Sequence, residues 1–348
     1  MNKKIILGLP AVYGLGNLIK NNLQILGFEV IDLSFDYKGF KYKNFKQRLI
    51  NFIRKTLFND KSYKDKLRFA AQKNHLDEKL GLIKEKADYA IIIRPDTYTI
   101  DVLTQIKSKS NYLIGYQWDG MERFPWVEKC ISIFDRFFVF DPSDIHYHNL
   151  DLPFIGNFYF TIPELLATHH STATGAYFVG AFNRDRKEIL EHLSPLLISA
   201  GIPTKFFLYS KKPRKAEVDN KHFLLTQKIS TYEENIEEVK ASKIIVDITV
   251  CAHKGLSLRF YEALCFEKKI ITNNDSIKYY DFYHPDNIFI YGQDEIDTLT
   301  TFINTPYKTI DPIIKEKYSF ENWIRFALNI PPFHPITAPT SLEQSLIS

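Results

Sequence analysis

The residues best placed to do chemistry lie in one stretch, His253-Lys254-Gly255-Leu256-Ser257-Leu258-Arg259-Phe260-Tyr261-Glu262-Ala263-Leu264. It follows residues 243–248 (KIIVDI), an apolar run that reads as a strand buried on both faces. A small residue and a hydroxyl at a helix start leave backbone N–H groups unpaired, and the positive end of the helix dipole lies at the same place. Such a terminus suits a diphosphate. Lys254, Gly255, Leu256, Ser257 and Arg259 are the candidate contacts. Glu262, near the second turn, can accept hydrogen bonds from the two hydroxyls of a ribose.

A second group is Phe178-Val179-Gly180-Ala181-Phe182-Asn183-Arg184. A strand ends at Gly180, where the missing side chain lets backbone approach a phosphate. Arg184 follows and can pair with one bidentately. Carboxylates come from the first half of the chain. Asp119 sits in Tyr116-Gln117-Trp118-Asp119-Gly120-Met121-Glu122-Arg123, just past a strand end and beside a tryptophan that can stack on a sugar. Asp96 and Asp141 occupy equivalent places in Arg94-Pro95-Asp96 and Phe140-Asp141-Pro142, so the three are expected along one rim, with Glu122 close by. Asp119 ranks first as a general base. Each aspartate alone also fits a turn, because Asp beside Gly or Pro favours turns.

Other motifs are weaker. Gly14-Leu15-Gly16 has Ile19 where a dinucleotide fingerprint needs its third glycine. His169-His170 falls in a polar linker, and His146-x-His148 lacks a third ligand at useful spacing, so no metal site is expected. No D-x-D stands at a strand end, where it could help to hold a metal.

The phrase G-x-S-x-R-x-x-E-A-L at 255–264, followed by the strand KKIIT, resembles the nucleotide-sugar site of GT-B glycosyltransferases. It is most similar to the bacterial cell-surface polysaccharide and lipooligosaccharide type. The resemblance runs over residues 243–274 and is one of layout elsewhere. It implies two Rossmann-like domains facing across a cleft, with the diphosphate of the donor on the helix start and its ribose on Glu262. It also implies that Gly180 and Arg184 face the donor, and that Tyr209 or Ile229 borders the base. The acceptor would enter from the N-terminal domain. The implied donor is a nucleotide-diphosphate sugar, UDP-linked in the first instance, used without a resident cofactor or metal. The implied acceptor is a glycan or lipid-linked glycan of lipopolysaccharide, O antigen or capsule. Lys254 stands eight before Glu262, where the family's first glutamate belongs, so the group that touches the donor sugar is open.

The elements around these residues alternate strand and helix, which implies a doubly wound α/β sheet. Strands are expected at 4–9, 28–33, 89–94, 112–116 and 136–140, with helices at 17–26 and 125–134 and a charged helical stretch over 45–86. The phrase restarts with strands at 176–179, 205–209, 243–248 and 269–272. Helices are expected at 185–200, ending on Gly201, after a cap at Ser230 or Thr231, over 255–265 and over 319–328. This gives an N-terminal acceptor domain over 1–165, a C-terminal donor domain over 172–318, a helix over 319–330 that crosses back to the first domain, and a tail over 331–348.

A length of 348 residues suits two such domains. The net charge of +4 is too small and too spread to point to nucleic acid. Basic residues do cluster between Lys38 and Lys73, a patch that suits either a solvated helix face or an anionic membrane. Three cysteines, Cys130, Cys251 and Cys265, sit in apolar surroundings and suit free thiols in a reducing compartment. The start, MNKKIILGLPAVYG, reads as a first strand and not a leader. No apolar run reaches eighteen residues, so no membrane span is expected. A cytoplasmic protein, peripheral at most to the inner membrane, is the resulting expectation. Two rivals share the layout: a non-catalytic two-domain small-molecule binding protein, which needs an export signal, and a GT-B-fold sugar-nucleotide epimerase, which needs further carboxylates and histidines in its cleft.

Overall fold

A computed structural model describes residues 3–10, 14–35, 40–57, 62–167, 173–211, 220–250 and 254–339. The chain divides into two compact units, the first holding residues 1–140 and 144–153 and the second 141–143 and 154–348. Cys251, His253, His169 and His170 lie outside the described residues.

In the first unit the order is β1 (Lys4–Gly8), α1 (Leu15–Ile25), β2 (Glu29–Asp32), α2 (Phe45–Leu57), α3 (Ser62–Leu82), β3 (Ala87–Ile93), α4 (Ile100–Ser108), β4 (Ser110–Gln117) and β5 (Arg136–Val139). The five strands form one sheet ordered β2-β1-β3-β4-β5, and every pairing is parallel. Ile5, Ile6, Ile91, Ile92, Leu113 and Ile114 are fully buried, which explains why these strands read as uninterrupted apolar runs. The expected helix over 125–134 is instead a run of 3-10 turns, Pro125–Ile133. Gly14 takes φ +78° before α1, a conformation that glycine adopts without strain.

The second unit holds α5 (Pro163–Leu166), β6 (Ala176–Ala181), α6 (Arg184–Ser199), β7 (Thr204–Tyr209), β8 (Leu224–Thr226), α7 (Tyr232–Ala241), β9 (Ile244–Asp247), α8 (Leu258–Phe266), β10 (Lys269–Thr272), β11 (Ile288–Ile290), α9 (Leu299–Asn304), α10 (Pro312–Lys317) and α11 (Phe320–Leu328). Its parallel sheet is ordered β11-β10-β9-β6-β7-β8. The chain therefore winds outward on one side from β6 and on the other from β9. Between those two strands the order reverses, and in open α/β sheets ligands sit beyond the carboxyl ends at such a reversal. Gly180 and Asp247 stand at those ends, one on each strand.

Local signals explain several boundaries. Thr231 accepts from the Glu234 amide while Glu234 returns a bond to the Thr231 amide, a complete capping box for α7. α6 ends with Gly201 at φ +78°. α11 starts at its Ser319 cap and buries Phe320, Trp323, Ile324, Ala327 and Leu328. Its Trp323 indole donates to the Gly156 carbonyl at 2.8 Å and its rings pack on Phe158 and Phe160, residues of the same unit. Among the described residues no helix is long and apolar enough to cross a membrane.

Candidate nucleotide-sugar site

α8 begins at Leu258, three residues later than the pattern of its sequence suggests. The cap is Ser257, whose side chain accepts from the Arg259 amide at 3.2 Å. Residues 254–257 are instead a loop clamped from several directions. The Lys254 amide donates to Asp141 Oδ2 at 3.0 Å, and the Lys254 carbonyl accepts from Ser276 Oγ at 2.6 Å. The Leu256 carbonyl accepts from Asn157 Nδ2 at 2.8 Å, and Ser257 Oγ donates to Asp247 Oδ1 at 2.8 Å. Gly255 and Leu256 are buried by this clamping, while the Lys254 side chain is exposed. The result is a helix start fixed in place beside the strand-order reversal, with a cation at its lip. Preorganised amides of this kind bind an anion without further ordering cost.

Asp141 was expected on the rim of the first unit. It belongs instead to the clamp: Oδ1 takes the Ser143 amide and hydroxyl, and Oδ2 takes Lys254. Asp247, which no motif singled out, ends β9 and carries the Ser257 cap. Burial raises its carboxyl above the ordinary range; the Ser257 bond and the charges of Arg259 and Arg186 pull the other way.

The arginine expected to meet the donor, Arg184, is paired along its own helix: it is 86% exposed and meets Glu188 one turn along α6. Arg186 occupies the reversal instead. Its Nε donates to the Ile248 carbonyl and its Nη1 to the Ala181 carbonyl, both at 3.0 Å, so it ties the ends of β9 and β6 together. Gly180 is small for that reason: a Cβ there would lie 2.9 Å from the Phe178 ring and 3.2 Å from Arg186 Nη1. Tyr209 ends β7, and Ile229 is exposed on the loop before α7.

Glu262 is fully buried on the inner side of α8. Its Oε2 lies 2.5 Å from Arg259 Nη1, and the two side chains are 1% and 18% exposed. Burial works to lower the Arg259 pKa, but the charge and hydrogen bond of Glu262 together with Tyr177 and Tyr232 outweigh it and raise the net value. Tyr232 of α7 packs on the pair; burial and then the Glu262 charge push its hydroxyl well up. Glu262 Oε1 is buried with no hydrogen-bond partner. The carboxylate is thus set inside the packing of α7 on α8, not on an open face.

In the first unit the expected residues converge on Arg94. This residue follows β3 at φ 63°, a left-handed conformation costly for any side chain with a Cβ. The backbone is held there by bonds from its own amide to Tyr116 O and from Thr97 to its carbonyl. The guanidinium makes two 2.6 Å bonds to the buried Asp96, stacks on Phe124 at 4.6 Å, and comes within 3.7 Å of Asp119. Asp119 also pairs with Arg123 at 3.0 Å and receives the Gly120 amide. Asp96 and Asp119 are therefore one cluster at the carboxyl ends of β3 and β4. Glu122 is exposed on the following turn. His146 and His148 pair locally with Asp151 and Glu128. Cys130 and Cys265 are free thiols, both pushed up to about 12 by burial.

No protein-family model and no curated protein matches the sequence. Solved structures do. A UDP-forming α,α-trehalose-phosphate synthase from Burkholderia xenovorans superimposes with a TM-score of 0.56 over 95% of this chain and 99% of that one, at 10% identity. The chain has the GT-B fold. The N-terminal domain of the Candida albicans trehalose-6-phosphate phosphatase matches over 100% of this chain and 96% of that one, with a TM-score of 0.53 at 10% identity. An α-glucosyltransferase in complex with UDP and a 13-mer DNA matches over 87% and 89%, with a TM-score of 0.50 at 10% identity.

Proposed function

We propose that the protein is a glycosyltransferase. It moves a sugar from a nucleotide-diphosphate donor, UDP-linked in the first instance, to a bacterial surface glycan of lipopolysaccharide, O antigen or capsule type. The observation that carries this reading is the start of α8, a clamped helix terminus beside the β6–β9 reversal with the exposed Lys254 at its lip. The GT-B fold is consistent with it, and residues 243–274 resemble the donor segment of surface-polysaccharide transferases.

In this reading the diphosphate lies on the amides of 255–258, with Arg259 fixing the helix behind them. As the bond between the sugar's anomeric carbon and the diphosphate oxygen breaks, the helix terminus and Lys254 take up the charge developing on the leaving group. Asp119 is the group assigned to take the proton of the acceptor hydroxyl, provided the reaction inverts; Arg94 and Arg123 orient it, and Asp96 buttresses Arg94. The unpartnered Glu262 Oε1 is the acceptor a ribose hydroxyl would satisfy, and reaching it needs α7 to ease away from α8. The base lies between Tyr209 and Ile229. No resident cofactor or metal enters the scheme, so activity is expected to survive a chelator.

The test is a calorimetric titration of the intact protein with UDP, GDP and CMP. Saturable UDP binding that weakens when Lys254 becomes alanine supports the reading. Absence of binding by all three at millimolar concentration removes it.

A further inference from the structure

α2 is built the wrong way round for a helix that packs on its own domain. At about 100° per residue, Phe45, Leu49, Ile50, Phe52, Ile53 and Leu57 fall within an arc of roughly 160°. A helix so patterned normally turns that arc inward. Here none of its residues is buried. The partly covered positions are Gln47, Asn51 and Arg54, and all three lie off the apolar arc. Arg54 stacks on Tyr63 of α3 at 5.1 Å, which fixes this edge against the body. The apolar face looks out: Phe45 and Leu57 are 74% exposed and Phe52 is 62% exposed.

The charge around that face has one sign. Residues 40–57 carry Lys41, Lys43, Lys46, Arg48, Arg54 and Lys55 and no carboxylate. Arg48 and Lys55 line one flank of the apolar arc and Arg54 the other, while the exposed Lys46 falls within it; long side chains can keep their charges at the level of lipid phosphates while the rings sit deeper. A second copy of this face would bring like charges together, which disfavours self-association. An anionic bilayer matches both the apolar arc and the cations, and it has room for the whole helix, about 20 Å long.

We infer that α2 is a membrane-seating helix that lies in the headgroup region of an anionic bilayer, its Phe45–Leu57 face inserted and its Gln47–Arg54 edge holding the first unit above the surface. This deepens the proposed function, on which it rests only in that a lipid-carried acceptor would then be presented at the same surface. Lipid binding is measured without any transfer reaction, so the two readings fail separately.

The experiment is flotation of the full chain with phosphatidylcholine vesicles, with and without phosphatidylglycerol, at low and high salt. Binding to the anionic vesicles should exceed binding to neutral ones by on the order of tenfold or more and fall as salt rises. Phe52→Glu with Leu57→Glu should abolish it, and Lys46→Glu with Arg48→Glu should lower it about tenfold or more. All four positions are exposed, so UDP affinity and the unfolding midpoint should stay at the parent values, which shows that the fold is intact. Equal binding to neutral vesicles, or no flotation at low salt, overturns the inference. So does a dimer in solution that Phe52→Glu dissociates, because the face would then belong to a second copy.

Discussion

Arg259 and Arg94 each hold a buried carboxylate close to the end of a parallel strand, and they differ in the second carboxylate that only Arg94 faces. Arg259 and Glu262 are one turn apart on α8, sealed under Tyr232, with the carboxylate 1% exposed. Arg94 sits on a left-handed residue at the mouth of its sheet and faces two aspartates, one buried and one 14% exposed. In the sealed pair the further groups are the hydroxyls of Tyr232 and Tyr177, which carry no charge to compete with. The open one can give up part of its hold on Asp119 when another group arrives. The same residue types therefore serve the packing of a helix in one unit and present a charged, adjustable surface in the other. The second carboxylate decides between these roles, because a buried charge with one ion partner depends on it while Arg94 can redistribute between Asp96 and the partly exposed Asp119.

The comparison breaks most visibly at the sealed pair. Glu262→Ala leaves a buried, unpaired guanidinium and should cost about 3–5 kcal/mol in urea unfolding. Replacing both residues with methionine should recover much of that loss. Glu262→Gln keeps the volume and is the cleaner probe of the donor. If that variant unfolds like the parent but binds UDP far more weakly, the carboxylate serves the ribose, and its place in α8 packing is secondary.

The open cluster should answer differently. Asp119→Asn keeps the shape of the side chain and should lower kcat on the order of a hundredfold or more if Asp119 accepts the acceptor's proton. Donor affinity, read by titration, should stay within about twofold, since the change removes an interaction used in the transition state and not in donor binding. Unchanged turnover would assign Asp119 to the orientation of Arg94 and Arg123 alone.

Much of this arrangement was readable from the chain. Strands such as β3 announce themselves because the run Ala90–Ile93 is buried on both faces and apolar throughout. β8 and β11 are three residues each, too short for any period to show. α8 starts later than its local pattern because the backbone at 254–256 is committed to Asp141, Asn157 and Ser276, partners 22 to 113 residues away that no local pattern reveals. Arg186 lies on the opposite side of the first turn of α6 from Arg184, and the clue to its place is Gly180, whose missing side chain makes room for a guanidinium from the next helix. Asp247 carried a clue as well, a lone carboxylate closing the apolar run IIVD. The outward turn of α2 had none, because an amphipathic pattern states that a face needs covering and not what covers it.

A smaller effect distinguishes the two units through aspartates that end strands. Asp32 ends β2. Burial acts to raise its carboxyl, but bonds from Ser34 and the charges of Lys20 and Lys79 prevail, and it lies below its ordinary value of 3.8. Asp247 ends β9, and there burial prevails, so it lies above the same value. Linkage gives the two opposite signs. The folded state binds fewer protons at Asp32 than the unfolded chain does, so its contribution is present above 3.8 and is lost as pH falls through its lowered folded value. The folded state binds more protons at Asp247, so its contribution is full below 3.8 and is lost as pH rises through its raised folded value. Asp32→Asn should therefore cost less than about 1 kcal/mol at neutral pH and flatten the acid limb of the stability curve. Asp247→Asn still offers Ser257 an acceptor oxygen. It should leave the acid limb in place and remove the decline on the side toward neutral pH. Urea midpoints of both variants across that range give the answer, and parallel curves would show that neither strand-end carboxylate differs in proton affinity between the folded and unfolded chains.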